Sequence, residues 1–409
     1  MTLENINLWC QKKGIKVIGT SDFTHPRWLI EIKEKLEPAE PGLYKLKGVV
    51  SEVRFILTTE ISSIYSQGRK TRRIHNLIFA PDLSIVEKIN SELIRRKCNL
   101  LSDGRPIVGL SSLEILKIVL EIDNNCILIP SHIWTPWFSV FGSMSGFNSI
   151  EECFGDYTKY IFAVETGLSS DPSANWRLSQ LDKVALISNS DSHSLQKIGR
   201  EANIFDTKLS YQGIIEAIKS GSPNQRKLVL NQYKSTFVAT IEYFPQEGKY
   251  HYDGHRLCQV VFSPEETKKH NGVCPECGKS LTIGVMNRVE QLTDNHNIKI
   301  KNKGNFHSCD GYVPYYNLVS FDKIIAEAFG VRAESKKVQE EYEKFIKIFG
   351  NELKILLEIP IKEIYSINEK IAKGIDIMRK GELDIKPGYD GEYGKISIFS
   401  GKGMTKIEK

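Results

Sequence analysis

The apolar positions in the first half of the chain form short β-branched runs, separated by longer segments with apolar residues at helical spacing. Runs such as Cys126–Ile129 are continuously apolar, which is typical of strands buried on both faces of a sheet. Strands that alternate with helices predict an α/β fold with a parallel sheet, most simply a barrel. The predicted strands are Ile15–Ile18, Val53–Leu57, Leu77–Phe79, Cys126–Ile129, Tyr160–Val164 and Val184–Ile187.

The helical segments repeat apolar residues every three or four positions and carry signals at their ends. Thr2 is a candidate N-cap for the first helix, and Pro26 stands in the first turn of the second. The predicted helices are Thr2–Lys13, Pro26–Leu36, Ser84–Cys98, Ser111–Ile122, Tyr211–Ser220, Phe321–Phe329, Ser335–Phe349 and Ile361–Arg379.

A His, Asp or Glu borders each predicted strand. Parallel strands place such side chains at one mouth of a barrel, where convergent imidazoles and carboxylates indicate a metal site. A mixed nitrogen and oxygen set suits Zn, Mn or Fe better than Ca. Glu165 is either a residue that orients a ligand or an acid satisfied by hydrogen bonds. The candidate ligands are His25, Glu60, His75, His132, Asp191 and His193.

A second cluster combines two pairs of soft ligands, each with two intervening residues. His255 and Cys258 form one pair, and Cys274 and Cys277 form the other. Two such pairs predict a closed, tetrahedral structural zinc site, and a module this small depends on its metal for folding. Spacing favours His255 as the fourth ligand, with His251, His270, His307 and Cys309 as the alternatives.

Basic and aromatic residues border the first cluster. The run that contains Arg69, Arg72 and Arg73 is either a phosphate-binding segment or a solvated hairpin loop. The aromatic residues near His132 either contact nucleic acid or belong to the core. The same two alternatives apply to Arg177. The candidate nucleic-acid contacts are Arg69, Arg72, Arg73, Trp134, Trp137, Phe147 and Arg177.

These patterns divide the chain into four segments. Residues 1–205 form the α/β metal-binding domain, 206–250 connect it to the rest, 251–311 form the zinc-finger module, and 312–409 form a helical C-terminal domain. The chain has 409 residues, of which 41% are hydrophobic, which is enough for two or three domains. We therefore expect a multidomain globular protein.

Charge and cysteine content narrow the functional classes. The net charge of +5 permits nucleic-acid binding without requiring it. There is neither a membrane-length apolar run nor a secretory signal at Met1. Eight thinly spread Cys suit a reducing compartment better than a disulfide framework. We expect a cytoplasmic protein.

Seven short strings along the chain are specific enough to compare with known families. They are Gly19-Thr-Ser-Asp-Phe-Thr-His-Pro26, Glu165-Thr-Gly-Leu-Ser-Ser-Asp-Pro172, Asn175-Trp-Arg-Leu-Ser179, Ser188-Asn-Ser-Asp-Ser-His193, Gly199-Arg-Glu-Ala-Asn203, His251-Tyr-Asp-Gly-His255 and Cys274-Pro-Glu-Cys-Gly-Lys-Ser-Leu-Thr-Ile-Gly284. These strings resemble the endonuclease Q family of the PHP (polymerase and histidinol phosphatase) superfamily along essentially the whole chain. The resemblance implies a PHP-type distorted seven-stranded α/β barrel, a small zinc-ribbon-like module and a helical C-terminal DNA-binding domain.

The resemblance also implies an activity and a set of roles. Members cut the phosphodiester bond 5′ to a deaminated base (hypoxanthine, uracil or xanthine) or an abasic site. Glu60 would bridge metal ions, and Asp191 would bind metal or orient the attacking water. The metal would be zinc at both sites, with Mg or Mn as alternatives at the catalytic one. The partners would be lesion-containing DNA on the nucleoid and unidentified replication or repair proteins.

One departure from the family pattern concerns the first strand. PHP proteins open with a strand that carries His-x-His, and none precedes the helix at Thr2–Lys13. We therefore expect Glu60, His75 and His132 to form a complete metal site, and His25 and His193 a weaker one. The departure supports one alternative function, a catalytically impaired DNA-binding protein. The superfamily resemblance leaves a second, a phosphoesterase acting on small phosphorylated molecules.

Overall fold

A computed structural model of the chain describes residues 1–102, 105–228 and 235–399. Its first part contains helices α1 (Leu3–Lys13), α2 (Pro26–Lys35), α3 (Leu83–Arg95), α4 (Ser112–Ile122), α5 (Ile150–Phe154) and α6 (Pro172–Asn175). Its strands are β1 (Val17–Gly19), β2 (Leu36–Pro38), β3 (Tyr44–Leu46), β4 (Arg54–Gln67), β5 (Lys70–Ala80), β6 (Ile107–Val108), β7 (Ile127–Pro130), β8 (Ala163–Glu165) and β9 (Ala185–Ile187).

The second part contains helices α7 (Tyr211–Ser220), α8 (Pro223–Leu228), α9 (Pro264–Lys269), α10 (Val285–Leu292), α11 (Phe321–Phe329), α12 (Lys336–Phe349), α13 (Glu352–Leu357), α14 (Ile361–Tyr365) and α15 (Glu369–Lys380). Its strands are β10 (Ala202–Asp206), β11 (Thr236–Glu242), β12 (Asp253–His255), β13 (Val260–Phe262), β14 (Lys301–Lys303), β15 (Phe306–Ser308), β16 (Tyr315–Asn317), β17 (Asp384–Lys386) and β18 (Lys395–Ser397).

A long antiparallel hairpin of β4 and β5 is the centre of a seven-stranded sheet. Its two-residue turn is Gly68–Arg69, and both residues have positive φ, as type I′ hairpin turns require. β1 and β6 pair with β4 in parallel, whereas β7 pairs with β5 in antiparallel orientation. The sheet is therefore mixed, and the expectation of a parallel sheet is wrong because a tight turn joins β4 directly to β5.

The α/β class is confirmed, but the barrel remains a prediction. β8 and β9 form a separate parallel pair. Among the described residues, hydrogen bonding thus does not close the seven-stranded sheet into a ring.

A second, five-stranded sheet joins distant parts of the chain. Its order is β10-β11-β16-β15-β14, so it takes strands from all four segments expected from the sequence. The boundaries at residues 205 and 311 therefore do not separate independent sheets. A separate hydrophobic core is built mainly by α11 to α15 and includes Ile241 of this sheet, with Phe321, Phe345 and Ile371 fully buried.

Most expected helices are confirmed, and two of them, α7 and α11, begin and end at the expected residues. Thr2 caps α1 by accepting a hydrogen bond from the Asn5 amide, and Ser111 caps α4 in a capping box. The single helix expected over Ile361–Arg379 is instead two helices, because the Asn368 side chain accepts from the Ile371 amide and starts α15 anew. Within the described residues, no helix has the length and hydropathy needed to cross a membrane.

Candidate metal centre and nucleic-acid interface

The hairpin register places Glu60 and His75 on one face of the sheet. Ser62 lies opposite His75, and Glu60 lies two residues before Ser62 on β4. Residues opposite one another and residues two apart share a face, so the two side chains are diagonal neighbours. Both therefore lie within strands, not at the strand ends that the sequence suggested.

His132 approaches the same point from the loop after β7. Its φ is +30°, a conformation in which non-glycine residues are uncommon, and its amide donates to Glu165 Oε2 at 2.8 Å. Gly167 passes so close that an added Cβ would lie 2.4 Å from His132 Cβ. A strained backbone held by a buried acceptor and a close glycine thus orients His132.

The three side chains fit one metal ion. His75 Nδ1 lies 3.0 Å from His132 Nε2, and each lies 3.5 Å from Glu60 Oε1. Tetrahedral zinc with bonds near 2.1 Å separates its ligands by about 3.4 Å. Glu60 Oε1 is buried and has no hydrogen-bond partner, which an ion here would supply. The chemistry of the donors and the triangle they form both suit zinc.

Hydrogen bonds beyond the triangle set the orientation of the His132 ring. Thr135 Oγ1 lies 2.8 Å from the carbonyl of Trp137, to which it donates, and 3.0 Å from His132 Nδ1. Because its proton is engaged, this hydroxyl accepts from His132 Nδ1–H. Nε2 is left facing Glu60 and His75, as a metal ligand requires.

The electrostatics of the triangle favour an ionised carboxylate and one neutral imidazole. Burial opposes ionisation of Glu60, but His132, Arg105 and His75 outweigh it and bring the pKa of Glu60 to about 2. Burial and the neighbouring His132 lower the pKa of His75 to about 3. Burial would also lower the pKa of His132, yet Glu60 raises it. Burial raises the pKa of Glu165 to about 7.

Arg105 was not singled out from the sequence but contacts this centre directly. Its Nε lies 2.6 Å from Glu60 Oε2, its Nη1 2.8 Å from His75 Nδ1, and its Nη2 3.5 Å from Asp191 Oδ1. It lies two residues before β6, where no periodic pattern marks it. Only the folded chain places this guanidinium beside the ligands.

The other three predicted ligands surround the triangle without joining it. Asp191 faces Arg105, and its φ of +40° is strained. His193 Nδ1 lies 3.9 Å from Asp191 Oδ1, but 78% of its side chain is exposed. His25 precedes α2, and among the described residues it belongs to neither group of side chains that could hold a metal ion. Together with Glu60 and Arg105, all three line one open cavity of about 1630 Å³.

The second predicted cluster is also brought together. His255, Cys258, Cys274 and Cys277 place their ligand atoms within 4.8 Å of one another, with Cys277 Sγ 3.5 Å from His255 Nδ1. The tight turn from Cys274 to Gly278, a zinc knuckle, is closed by a hydrogen bond that the Gly278 amide donates to the Cys274 carbonyl at 2.9 Å. The backbone near Lys279 lowers the pKa of Cys277, which favours the thiolate that binds metal.

The alternative fourth ligands have other environments. His251 is buried and stacks on Tyr252, and His270 stacks on Phe262. His307 stacks on Tyr315 and lies 2.8 Å from Asn302 Oδ1. Among the described residues, the geometry therefore favours His255 over these histidines and Cys309.

Two aromatic candidates for nucleic-acid contact belong to the core. Trp134 is 1% exposed and donates to Asn175 Oδ1 at 2.8 Å. Phe147 is buried, and the guanidinium of Arg72 covers its ring at 3.9 Å. Neither ring offers a free face to a base, so the expectation of stacking is corrected for both.

The remaining candidates differ in accessibility. Trp137 is 40% exposed and packs edge-on against Tyr250. Arg69 is exposed at the tip of the hairpin, and Arg73 lies partly buried near Phe138. Arg177 instead forms an ion pair with Glu290 of α10, which joins the segment after α6 to α10. The accessible set is thus Trp137, Arg69 and Arg73.

Comparison with known proteins places these features in a family. A model of the MJ0043 C-terminal domain matches residues 321–382. The chain is 34% identical over 289 residues to an uncharacterized protein, MJ0043, from Methanocaldococcus jannaschii, and it spans 34% of the length of that relative. It is 27% identical to the uncharacterized protein YqxK from Bacillus subtilis, over 97% of this chain and 92% of that one.

Two solved structures resemble the whole chain. The lesion-specific endonuclease PfuEndoQ from Pyrococcus furiosus has a TM-score of 0.82 and 28% identity, over 100% of this chain and 93% of that one. An endonuclease Q complex with a 27-mer duplex that carries an abasic lesion at the active site has a TM-score of 0.80 and 30% identity, over 98% of this chain and 92% of that one. The chain belongs to the endonuclease Q family.

Proposed function

We propose that this protein is a metal-dependent DNA-repair endonuclease that hydrolyses the phosphodiester bond 5′ to a deaminated base or an abasic site. The observation that carries the proposal is the full-length similarity to an endonuclease Q bound to abasic-site DNA, combined with the triangle of Glu60, His75 and His132 beside an open cavity. Fold alone would not support a reaction, whereas the donor set does.

The placement of each group supports a proposed role for it. Glu60, His75 and His132 would hold a metal ion, and such an ion would supply Lewis-acid chemistry, activating a water and stabilising charge on the phosphate. Asp191 lines the same cavity and would orient the attacking water or add a ligand. His25 and His193 also line this cavity and would hold a second, weaker ion. Zn is the favoured metal, with Mg or Mn as alternatives.

The duplex would be held by groups outside the metal centre. Arg69 and Arg73 extend along the β4–β5 hairpin, and the exposed Trp137 offers a ring for stacking on an extruded base. Deaminated bases pair poorly, and abasic sites do not pair, so extrusion costs less at a lesion. The zinc module and α10, which Arg177 joins to the segment after α6, would support the grip.

The test is cleavage of end-labelled duplexes. One strand carries a single abasic site, deoxyinosine, deoxyuridine or no lesion, and the protein is assayed with Zn, Mn or Mg. We expect one lesion-dependent cut on the 5′ side, lost in Glu60→Gln. Arg95→Gln is the matched control, since Arg95 pairs with Glu92 on the surface of α3. A cut that persists in Glu60→Gln would overturn the assignment of the centre.

The same assay distinguishes the alternatives. Salt-dependent binding to the abasic duplex without a cut under any metal supports a catalytically impaired DNA-binding protein. His25, Asp191 and His193 lie outside the triangle. A protein that binds fewer ions than the reaction needs would bind DNA without cutting it, so this arrangement supports the DNA-binding alternative. Turnover of small phosphate monoesters without duplex binding would support the phosphoesterase instead.

A further inference from the structure

The guanidinium of Arg105 lies among groups that suit a metal ion. Three of its nitrogens face three different predicted ligands, Glu60 at 2.6 Å, His75 at 2.8 Å and Asp191 at 3.5 Å. Guanidinium is always charged and only donates hydrogen bonds. At His75 Nδ1 it therefore takes up a lone pair that a divalent cation would use, while at Glu60 it binds Oε2, the neighbour of the triangle atom Oε1.

His75 makes this overlap specific. Arg105 Nη1 can only donate, so His75 Nδ1 is unprotonated and accepts. The same nitrogen forms one corner of the metal triangle, 3.5 Å from Glu60 Oε1. One lone pair cannot serve a metal bond and a hydrogen bond from Arg105 at once. Metal binding and this position of Arg105 exclude one another.

An open cavity next to the triangle can accommodate the Arg105 side chain when it leaves the ligands. Arg105 is 26% exposed in its side chain and lines the open cavity that Glu60, Asp191 and His193 also line. A guanidinium released into a partly enclosed cavity needs an anionic partner, because an unpaired buried charge is costly. Phosphate is matched by the two-pronged donor geometry of Arg.

We propose that Arg105 is a metal-gated phosphate clamp: it closes the ligand triangle in the metal-free protein, leaves it when the ion binds, and then holds a non-bridging oxygen of the DNA phosphate. The phosphate-binding half of this inference rests on the proposed function. The competition with metal does not, since it depends only on contacts within the chain.

The first measurement is the affinity for Mn²⁺ alone, by titration with detection of free Mn²⁺, on the full chain loaded with a single equivalent of zinc, which the thiolates of the Cys/His cluster take up first so that the triangle stays free. Mn²⁺ prefers imidazole and carboxylate to thiolate, so it reports on the triangle. We expect Arg105→Gln to bind Mn²⁺ about tenfold or more tightly, because a charge-assisted competitor is removed. Arg105→Lys retains the positive charge but lacks the planar, two-pronged donor group. Its Mn²⁺ affinity should lie between those of wild type and Arg105→Gln. Arg95→Gln should match wild type.

A second readout separates competition from a structural role. Without added metal, Arg105→Gln should melt at a lower temperature than wild type, and saturating Mn²⁺ should remove the difference. Equal or weaker Mn²⁺ binding by Arg105→Gln would overturn the competition. If Arg105→Gln does not fold, the Mn²⁺ affinity of Arg105→Lys tests the proposal instead. Mn²⁺ binding by Arg105→Lys that is no tighter than in wild type would also overturn the competition.

The phosphate contact is tested with metal-saturated protein and the abasic duplex. Loss of one phosphate contact should reduce the slope of log affinity against log salt by about one in Arg105→Gln. An unchanged slope would overturn the clamp. If wild type neither binds nor cuts the duplex, the proposed function has failed, whereas the Mn²⁺ result still decides whether Arg105 competes with the ion.

Discussion

Lys13 Nζ lies 2.5 Å from Glu352 Oε2, and both side chains are almost completely buried. Lys13 ends α1, while Glu352 begins α13 in the C-terminal core. Glu352 also accepts from the Tyr342 hydroxyl at 2.8 Å and the Phe321 amide at 3.1 Å. One carboxylate thus joins the start of the chain to three elements of its last domain.

Removal of one partner from this pair should be strongly destabilising. Lys13→Met leaves a buried carboxylate without its cation, which costs about 3–5 kcal/mol of unfolding free energy. Lys12→Met is the control, because Lys12 pairs with Glu343, whose side chain is 52% exposed, and exposed pairs contribute about 0–1 kcal/mol. Denaturant unfolding of both variants measures the difference. Equal losses of unfolding free energy in the two variants would show that the burial of the Lys13–Glu352 pair does not determine its contribution to stability.

The close approach of Gly167 to His132 gives a prediction for the metal centre. Gly167→Ala must move His132, since its Cβ would lie 2.4 Å from His132 Cβ. We expect weaker metal binding and slower cleavage, in addition to roughly 1–2 kcal/mol for an L-residue at positive φ. Gly330→Ala is the matched control, with φ of +65° and no atom within 4 Å of the added Cβ. We expect both variants to lose stability, but only Gly167→Ala to bind metal more weakly. Unchanged metal affinity in both variants would contradict the prediction.

The buried imidazole of His251 should make stability depend on pH. Burial lowers its pKa to about 4, although nearby Asp171 opposes the shift. Between that value and the unfolded value near 6.5 only the unfolded chain takes up the proton, so stability is lost as pH falls. We expect wild type to lose roughly 2 kcal/mol more than His251→Gln between pH 7 and pH 5. Parallel pH profiles of unfolding free energy in the two proteins would refute this.

The Cys/His cluster should contain a structural ion. Cys277→Ser removes one ligand of four, so we expect the protein to lose one equivalent of zinc and residues 251–284 to become sensitive to protease. Cys309→Ser is the control, since Cys309 lies outside the cluster. Zinc content by mass spectrometry and limited proteolysis measure both effects. Full zinc retention in Cys277→Ser would argue against this ligand set.

Local pattern determined much of the secondary structure. α7 and α11 begin and end at the residues expected from periodicity, and Thr2 and Ser111 act as the caps that their residue types suggest. These features depend on neighbours within a few positions, which the sequence displays directly. The same holds for the spacing of Cys274 and Cys277, since a knuckle is closed by its own backbone.

The sequence also supplied the donors of the metal triangle, but the fold decided how they meet. Glu60 and His75 converge because β4 and β5 form a long hairpin in a particular register, and His132 joins them through a strained loop held by Glu165 and Gly167. Register and loop strain depend on contacts across the sheet, which periodicity does not encode.

Tertiary structure alone decided which residues with the right chemistry have access to the site. Trp134 and Phe147 have rings suited to stacking, yet both are buried in the core, while Arg105 reaches Glu60 and His75 from a loop without any sequence pattern. Residue type fixes what a side chain can do, and local pattern fixes its helix or strand. Burial and partnership arise from long-range packing, so the three-dimensional arrangement determined these assignments.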